Sequence, residues 1–383
     1  MIPFVRWRFN YKYDKVYPRS HPYIVLSNHT TNWDPMLVGI SFPQHMYFVA
    51  TEHIFRQGVL SRLLTFFIAP ILRLKTRTEM YTAMVMLRTL KAGENICMFP
   101  EGSNTWNGVS TPIVPSTAKL VKRSNATLIT YRIEGGHLSL PRWGKTIRRG
   151  AMRGYMVNEY PPEQLAAMSS EEVQRAINED LYFNAFAHNA KAQISFKGKR
   201  MAEHLELALF YCSDCKAIGS LRSDDDTLTC DSCGLKLRYN PQGRFESLTE
   251  RPVTFDTPLD WYNWQIGYLD NKREDYLQLA VDEPVCSDEG QELYSYQVGG
   301  DSLLVATGTL RLYKDRLEFE DEERRQTVSF PLKEITDMGT FTQTTFNFTI
   351  HGKEHFEVRS AIPRSSIKYL MLCNALEDVK VLP

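Results

Sequence analysis

Short apolar runs alternate with stretches of helical periodicity through the first two hundred residues. Tyr23-Ile24-Val25-Leu26 is a continuous apolar run of strand length, as expected of a strand buried on both faces, and Asn95-Ile96-Cys97-Met98-Phe99 reads as another buried strand. Residues 46–50, 126–131 and 155–157 read as further strands. Between them, residues 36–40, 79–91 and 116–121 read as helices, the second closed by Gly93. Ser169 with Glu172 forms a capping box, and the helix it opens is expected to run to about His188. Glu134-Gly135-Gly136 reads as a tight loop closing a strand. The alternation predicts an α/β domain with a mixed, mainly parallel sheet flanked by helices. Its most apolar part is residues 54–74; the longest candidate span there, residues 63–72, is too short to cross a bilayer and contains Pro70.

The second half has a different pattern. Residues 241–290 are polar and aromatic, with a short helix expected at 261–269. From about residue 292, short strands divided by turns lead to a final helix at 366–379, which predicts a mostly antiparallel β domain with a terminal helix. The expected organisation is residues 1–205, 208–242, a linker at 243–290, and 291–383.

Composition refines this picture in one respect. The 383 residues carry no net charge, but residues 1–210 hold 26 Lys and Arg against 15 Asp and Glu, so the acidic excess lies entirely in the rest. A basic half suits an anionic membrane surface, where each nearby cation contributes about 1 kcal/mol. Nucleic acid is the competing partner, disfavoured by the aromatic and aliphatic residues mixed with the charge. The N-terminal MIPFVRWRFNYKY lacks the apolar core and cleavage site of a signal peptide. Its Phe4, Trp7, Phe9, Tyr11 and Tyr13 among Arg6, Arg8, Lys12 and Lys15 suit a headgroup boundary. They equally suit a first element packed on the core. Arg142, Lys145, Arg148, Arg149 and Arg153 form a basic cluster, read as a solvated face or as a seat for an anionic headgroup or carrier phosphate.

Two sets of residues carry chemistry. His29 stands just past the first buried strand with Asp34 five residues later, the arrangement of a general base and its orienting carboxylate. Alone, such a pair is more often a helix cap. The second buried strand ends in Pro100-Glu101-Gly102-Ser103, and sites in open α/β sheets form outside the carboxyl ends of strands. Cys212, Cys215, Cys230 and Cys233 form two CxxC knuckles, the donor set of a structural, tetrahedral Zn²⁺ with no coordination position left for catalysis. Disulfides are the alternative, without a secretory signal to favour them. Cys97, Cys286 and Cys373 are scattered, as in a reducing compartment.

NHTTNWDP and FPEGS, in this order and separation, resemble the first and third motifs of the glycerolipid acyltransferase family, the 1-acylglycerol-3-phosphate acyltransferase-like group. The resemblance covers about residues 15–190. It implies an O-acyltransferase of phospholipid biosynthesis that takes a fatty acyl group from acyl-CoA or acyl carrier protein to a lysolipid hydroxyl. It implies His29 as base, Asp34 as its orienter, and Glu101, Gly102, Ser103 and Asn104 at the acceptor site. Arg73, with Arg77 as substitute, matches the arginine that binds the acceptor phosphate. Residues 54–74 match an apolar, membrane-facing surface, so the enzyme is expected at the cytoplasmic face of a membrane, peripherally bound. Two departures stand out. Asn104 occupies the place of a phosphate-holding arginine, and residues 126–131 lack the family's Val-Pro, which puts the acceptor's identity in question. Residues 291–383 resemble a pleckstrin-homology or GRAM-like module in pattern only. The rival expectations are a non-catalytic lipid-binding scaffold of the same fold, and a nucleic-acid binder using the ribbon and basic half.

Overall fold

Tyr23–Ser27 is buried at every position, and the first of two units is laid out around it. The computed structural model describes residues 2–51, 70–73, 79–296, 302–360, 362 and 364–378. The first unit, Met1–Arg142 with Ile147–Gly198, begins α1 (Ile2–Phe9), β1 (Tyr11–Tyr13), β2 (Tyr23–Ser27), α2 (Asp34–Gly39), β3 (Met46–Thr51) and β4 (Ile71–Arg73). It continues α3 (Glu79–Lys91), β5 (Asn95–Met98), α4 (Ser116–Ser124), β6 (Thr127–Glu134), α5 (Gly136–Ser139) and β7 (Met152–Tyr160). Three helices close it: α6 (Pro162–Ala167), α7 (Ser170–Leu181) and α8 (Ala185–Ala192).

Its sheet runs β1-β7-β6-β2-β5-β3-β4. From β6 to β4 every pairing is parallel; β7 lies antiparallel to β6, and β1 parallel to β7. The sheet is therefore mixed and mainly parallel, as the sequence predicts. Alternation along β2 feeds two cores. Tyr23 and Val25 pack with Val5 and Phe9 of α1, Leu37 and Val38 of α2, and Ile129 and Tyr131 of β6. Ile24 and Leu26 pack on the other face with Met86 and Leu90 of α3, Val121 of α4, and Val173 and Ile177 of α7. Covering both faces is what permits an unbroken apolar run in the central strand.

The second unit, Trp143–Thr146 with Lys199–Pro383, contains β8 (Leu221–Asp224), β9 (Thr227–Cys230), β10 (Lys236–Tyr239) and β11 (Phe245–Ser247) as a four-stranded antiparallel meander. After α9 (Pro258–Leu277) come β12 (Cys286–Tyr296), β13 (Ser302–Leu312), β14 (Arg316–Asp321), β15 (Thr327–Pro331), β16 (Ile335–Thr340), β17 (Thr345–Ile350) and β18 (Glu354–Ser360), then α10 (Ser366–Leu376). The seven strands form one antiparallel sheet in the order β15-β14-β13-β12-β18-β17-β16. A buried ion pair, Lys368 Nζ to Asp288 Oδ2 at 2.6 Å, and the Tyr369 hydroxyl donating to the Leu310 carbonyl at 3.2 Å fasten α10 to it.

Several elements differ from the sequence reading. The helix opened by Ser169 stops at Leu181, because the next residues are drawn into pairing with another loop: Ser110 N–H donates to Phe183 O, and Ala185 N–H to Gly108 O. Asn184 then caps a separate helix. The helix expected at 261–269 spans Pro258–Leu277, started by a capping box of Thr257 and Asp260. The β domain begins at Cys286 rather than near 292. The 134–136 loop turns directly into α5, with Gly135 at φ +79°. Most of the apolar stretch at 54–74, and Arg77, lie outside the described residues. Arg73 ends β4, and its side chain lies outside them too. No described helix is long and apolar enough to cross a membrane.

Candidate active site

β2 and β5 pair with Ile24 opposite Ile96, Val25 opposite Cys97, and Leu26 opposite Met98. Continued past the strand ends, that register sets His29 level with Glu101. There the His29 backbone N–H donates to Glu101 Oε1 at 2.8 Å. On the other flank Asn28 pairs with the main chain of Ile133, its Nδ2 donating to the carbonyl at 2.9 Å and its Oδ1 accepting from the N–H at 2.8 Å. The Thr105 N–H donates to the His29 carbonyl at 3.2 Å. His29 is thus held through both of its own backbone groups.

The ring is fixed as well. His29 Nδ1 lies 2.9 Å from Asp34 Oδ2, and the imidazole stacks on Phe99 with ring centres 4.6 Å apart. Asp34 is wholly buried at the start of α2. Besides the ring it accepts from the backbone N–H groups of Thr30 and Thr31 at 2.5 and 2.9 Å, and from their hydroxyls at 3.1 and 3.0 Å. A carboxylate accepts and does not donate, so the shared proton sits on Nδ1 and Nε2 carries the lone pair. Packing reinforces this: a Cβ built on Gly136 would fall 2.0 Å from the Thr30 hydroxyl, so only glycine lets α5 approach so closely.

Glu101 lies in a turn closed by Gly102 N–H to Phe99 O at 3.0 Å, with Pro100 at its second position and Gly102 at φ +80°. Its Oε2 accepts from the Thr111 N–H at 2.8 Å and the Thr111 hydroxyl at 3.2 Å. Both oxygens are therefore engaged, and Glu101 is a strut between the His29 strand exit and the Thr111 segment. Burial pushes its carboxyl up to about 7, against the lowering effect of the Thr111 and His29 hydrogen bonds. Gly102 and Ser103 are exposed beside it, whereas Asn104 is buried.

The basic cluster is not a single solvated face. Arg148 and Arg142 are buried, while Lys145, Arg149 and Arg153 are exposed. Arg142 Nη1 donates to Ser103 Oγ at 3.2 Å and to the Asn104 carbonyl at 3.1 Å, and its guanidinium lies 4.5 Å from the Trp106 ring centre. The sequence reading did not place Arg142 at the site. The available signal was Trp106, an aromatic face inside the polar loop that follows FPEG.

A second cluster lies in the other unit. The four cysteine sulfurs at 212, 215, 230 and 233 all fall within 4.8 Å of one another. The Cys212–Cys233 and Cys215–Cys230 separations are both 3.7 Å. Thiolates about 2.3 Å from a tetrahedral zinc stand about 3.8 Å apart, so the donor set fits that ion.

Residues 8–134, about a third of the chain, match the family model described as Acyltransferase. No curated protein matches the chain. Among solved structures, the 1-acyl-sn-glycerophosphate (LPA) acyltransferase PlsC from Thermotoga maritima is 17% identical, with TM-score 0.40, covering 48% of this chain and 74% of that one. The 8S snRNP assembly intermediate matches at 9% identity and TM-score 0.22, over 27% of this chain and 90% of that one. The C-terminal domain of an unknown protein from Leishmania infantum matches at 15% identity and TM-score 0.20, over 27% and 94%.

The raised Glu101 carboxyl has a stability consequence. Its protonated form is favoured in the fold, so its contribution is fully present below about pH 4.5, is lost as pH rises to about 7, and is flat above. Urea unfolding of the intact chain between these limits is expected to show wild type losing about 1–3 kcal/mol relative to Glu101→Gln. Parallel pH curves for the two proteins would refute the assignment.

Proposed function

We propose that residues 1–205 form a membrane-peripheral O-acyltransferase that moves a fatty acyl group from acyl-CoA or acyl carrier protein to a lysolipid hydroxyl. The 1-acylglycerol-3-phosphate class heads the acceptors. The observation that carries this reading is the 2.9 Å contact between His29 Nδ1 and the buried Asp34 carboxylate, within the segment that matches the Acyltransferase family model. His29 Nε2 takes the proton of the acceptor hydroxyl as its oxygen attacks the thioester carbonyl. The tetrahedral intermediate collapses with cleavage of the C–S bond, and the imidazolium returns the proton to the departing thiolate. Asp34 keeps Nδ1 protonated and stabilises the imidazolium. Glu101, Gly102, Ser103 and Asn104 form the wall beside His29 against which the acceptor lies, with Arg73 as its phosphate partner.

The rest of the chain takes supporting roles in this proposal. Residues 208–242 are a ribbon in which Cys212, Cys215, Cys230 and Cys233 would hold a structural Zn²⁺, their four thiolates leaving no coordination position for acyl transfer. Residues 291–383, pleckstrin-homology- or GRAM-like in pattern, serve docking or regulation. α1 is the membrane contact, at the cytoplasmic face: Val5 and Phe9 are buried, while Phe4 and Trp7, 52% and 65% exposed, stand outward near exposed Arg6.

Three experiments test these assignments. Incubation with acyl-CoA and a lysophospholipid panel is expected to release free CoA, with His29→Ala slowing release about a thousandfold. Absence of wild-type turnover with either donor across the panel would instead favour the lipid-binding scaffold. Replacing Phe4 and Trp7 together by serine is expected to reduce co-sedimentation with anionic phospholipid vesicles about tenfold or more; undiminished binding would move the contact elsewhere. Metal analysis is expected to return about one zinc per chain, lost in Cys212→Ser/Cys230→Ser together with amide protection of β8–β11. Metal-free protein with those strands still protected would dismiss the ion.

A further inference from the structure

Arg142 is only 8% exposed, and burying a guanidinium is costly unless its donors are met. Three of its contacts fall on a single stretch of chain. Nη1 reaches the Ser103 hydroxyl and the Asn104 carbonyl, and the cation's face meets the Trp106 ring. These three residues bracket Thr105, whose N–H holds the carbonyl of His29. Thr105 is also tied forward, its hydroxyl donating to Asn107 Oδ1 at 2.9 Å and accepting from the Gly108 N–H at 3.1 Å. On the amino side of the bracket, Gly102 and Ser103 are exposed. The loop thus has an internal anchor after Thr105 and Arg142 contacts on either side of it.

We propose that Arg142 is a positioning residue for His29: its guanidinium clamps residues 103–106 so that the Thr105 N–H stays on the His29 carbonyl and the imidazole stays aimed. The clamp needs a flat cation with a fork of donors. A lysine ammonium offers charge without a plane to lie on the indole or a fork to share between two oxygens. Positioning of this kind acts on the chemical step more than on substrate affinity, because an aimed base matters most at the moment of proton transfer.

The proposal rests on the acyl-transfer reading only for its kinetic arm. In the full chain, Arg142→Ala is expected to speed hydrogen–deuterium exchange about tenfold or more in the peptide carrying Thr105, while α7 keeps its protection. Its kcat for acyl transfer is expected to fall about thirtyfold, with KM for the acyl donor within about threefold. Added guanidinium ion should restore part of the rate to Arg142→Ala but not to Arg142→Lys. Unchanged exchange around Thr105, exchange that spreads to α7, or a raised KM at constant kcat would each overturn the proposal. If wild type turns over no lysolipid, the acyltransferase reading falls, and the exchange measurement alone still decides whether Arg142 clamps the loop.

Discussion

The in-register parallel pairing of β2 with β5 is the constraint on which the site depends. A slip of one residue would exchange the two faces of β2 and move His29 away from Glu101. Apolar pattern alone does not forbid the slip, because both faces of β2 are apolar. Side chains at the two ends of the pair do forbid it. At the start of β5, Asn95 Oδ1 accepts from the Tyr23 N–H at 3.1 Å, and its Nδ2 donates to the His45 carbonyl at 3.2 Å. At the far end Glu101 accepts from the His29 N–H. The strand pair is pinned at both ends, and the residue at the exit inherits the precision of the sheet.

Two carboxylates then divide the work beyond the strand ends. Asp34 gathers the donors of Thr30 and Thr31 around itself and turns one oxygen to the imidazole. Glu101 does not touch the ring in the same way; it holds the His29 backbone and ties it to Thr111. Orientation of the ring and anchorage of the main chain are thus separate tasks, which lets the ring be aimed without depending on its own side-chain torsions alone. Phe99 supplies the apolar floor beneath it.

Much of this was legible from residue order. The strand at Tyr23–Ser27 and the helix at Glu79–Lys91 follow from uninterrupted apolar runs and clear helical spacing, and the pairing of His29 with Asp34 follows from their closeness in sequence. What escaped depends on contacts between distant segments. The break after Leu181 is imposed by Ser110 and Gly108, which compete for the backbone of Phe183 and Ala185 and leave no mark in the local sequence. α9 runs past Leu269 although its later residues are mostly polar, since its Thr257 capping box and buried Trp261 and Gln265 set the helix and solvent accepts the remainder. In the sequence Arg142 is one member of a charged run, because one-dimensional charge spacing cannot tell a solvated cation from one laid against an indole. Motif resemblance implies an acceptor-site place for Glu101, but its double engagement with the backbone N–H groups of His29 and Thr111 emerges only from the folded chain.

Asn28 extends the argument from geometry to durability. Its carboxamide acts as a surrogate peptide group, adding one more rung to the β2–β6 ladder after the main chain has turned away. That rung needs a donor and an acceptor in one side chain, which the isosteric acid cannot provide. Deamidation at this position would set a second acceptor against the Ile133 carbonyl and bury a new negative charge next to His29. Chemical ageing of a single amide, with no change in bulk and no loss of apolar contact, would therefore be enough to unsettle the strand end that carries the imidazole.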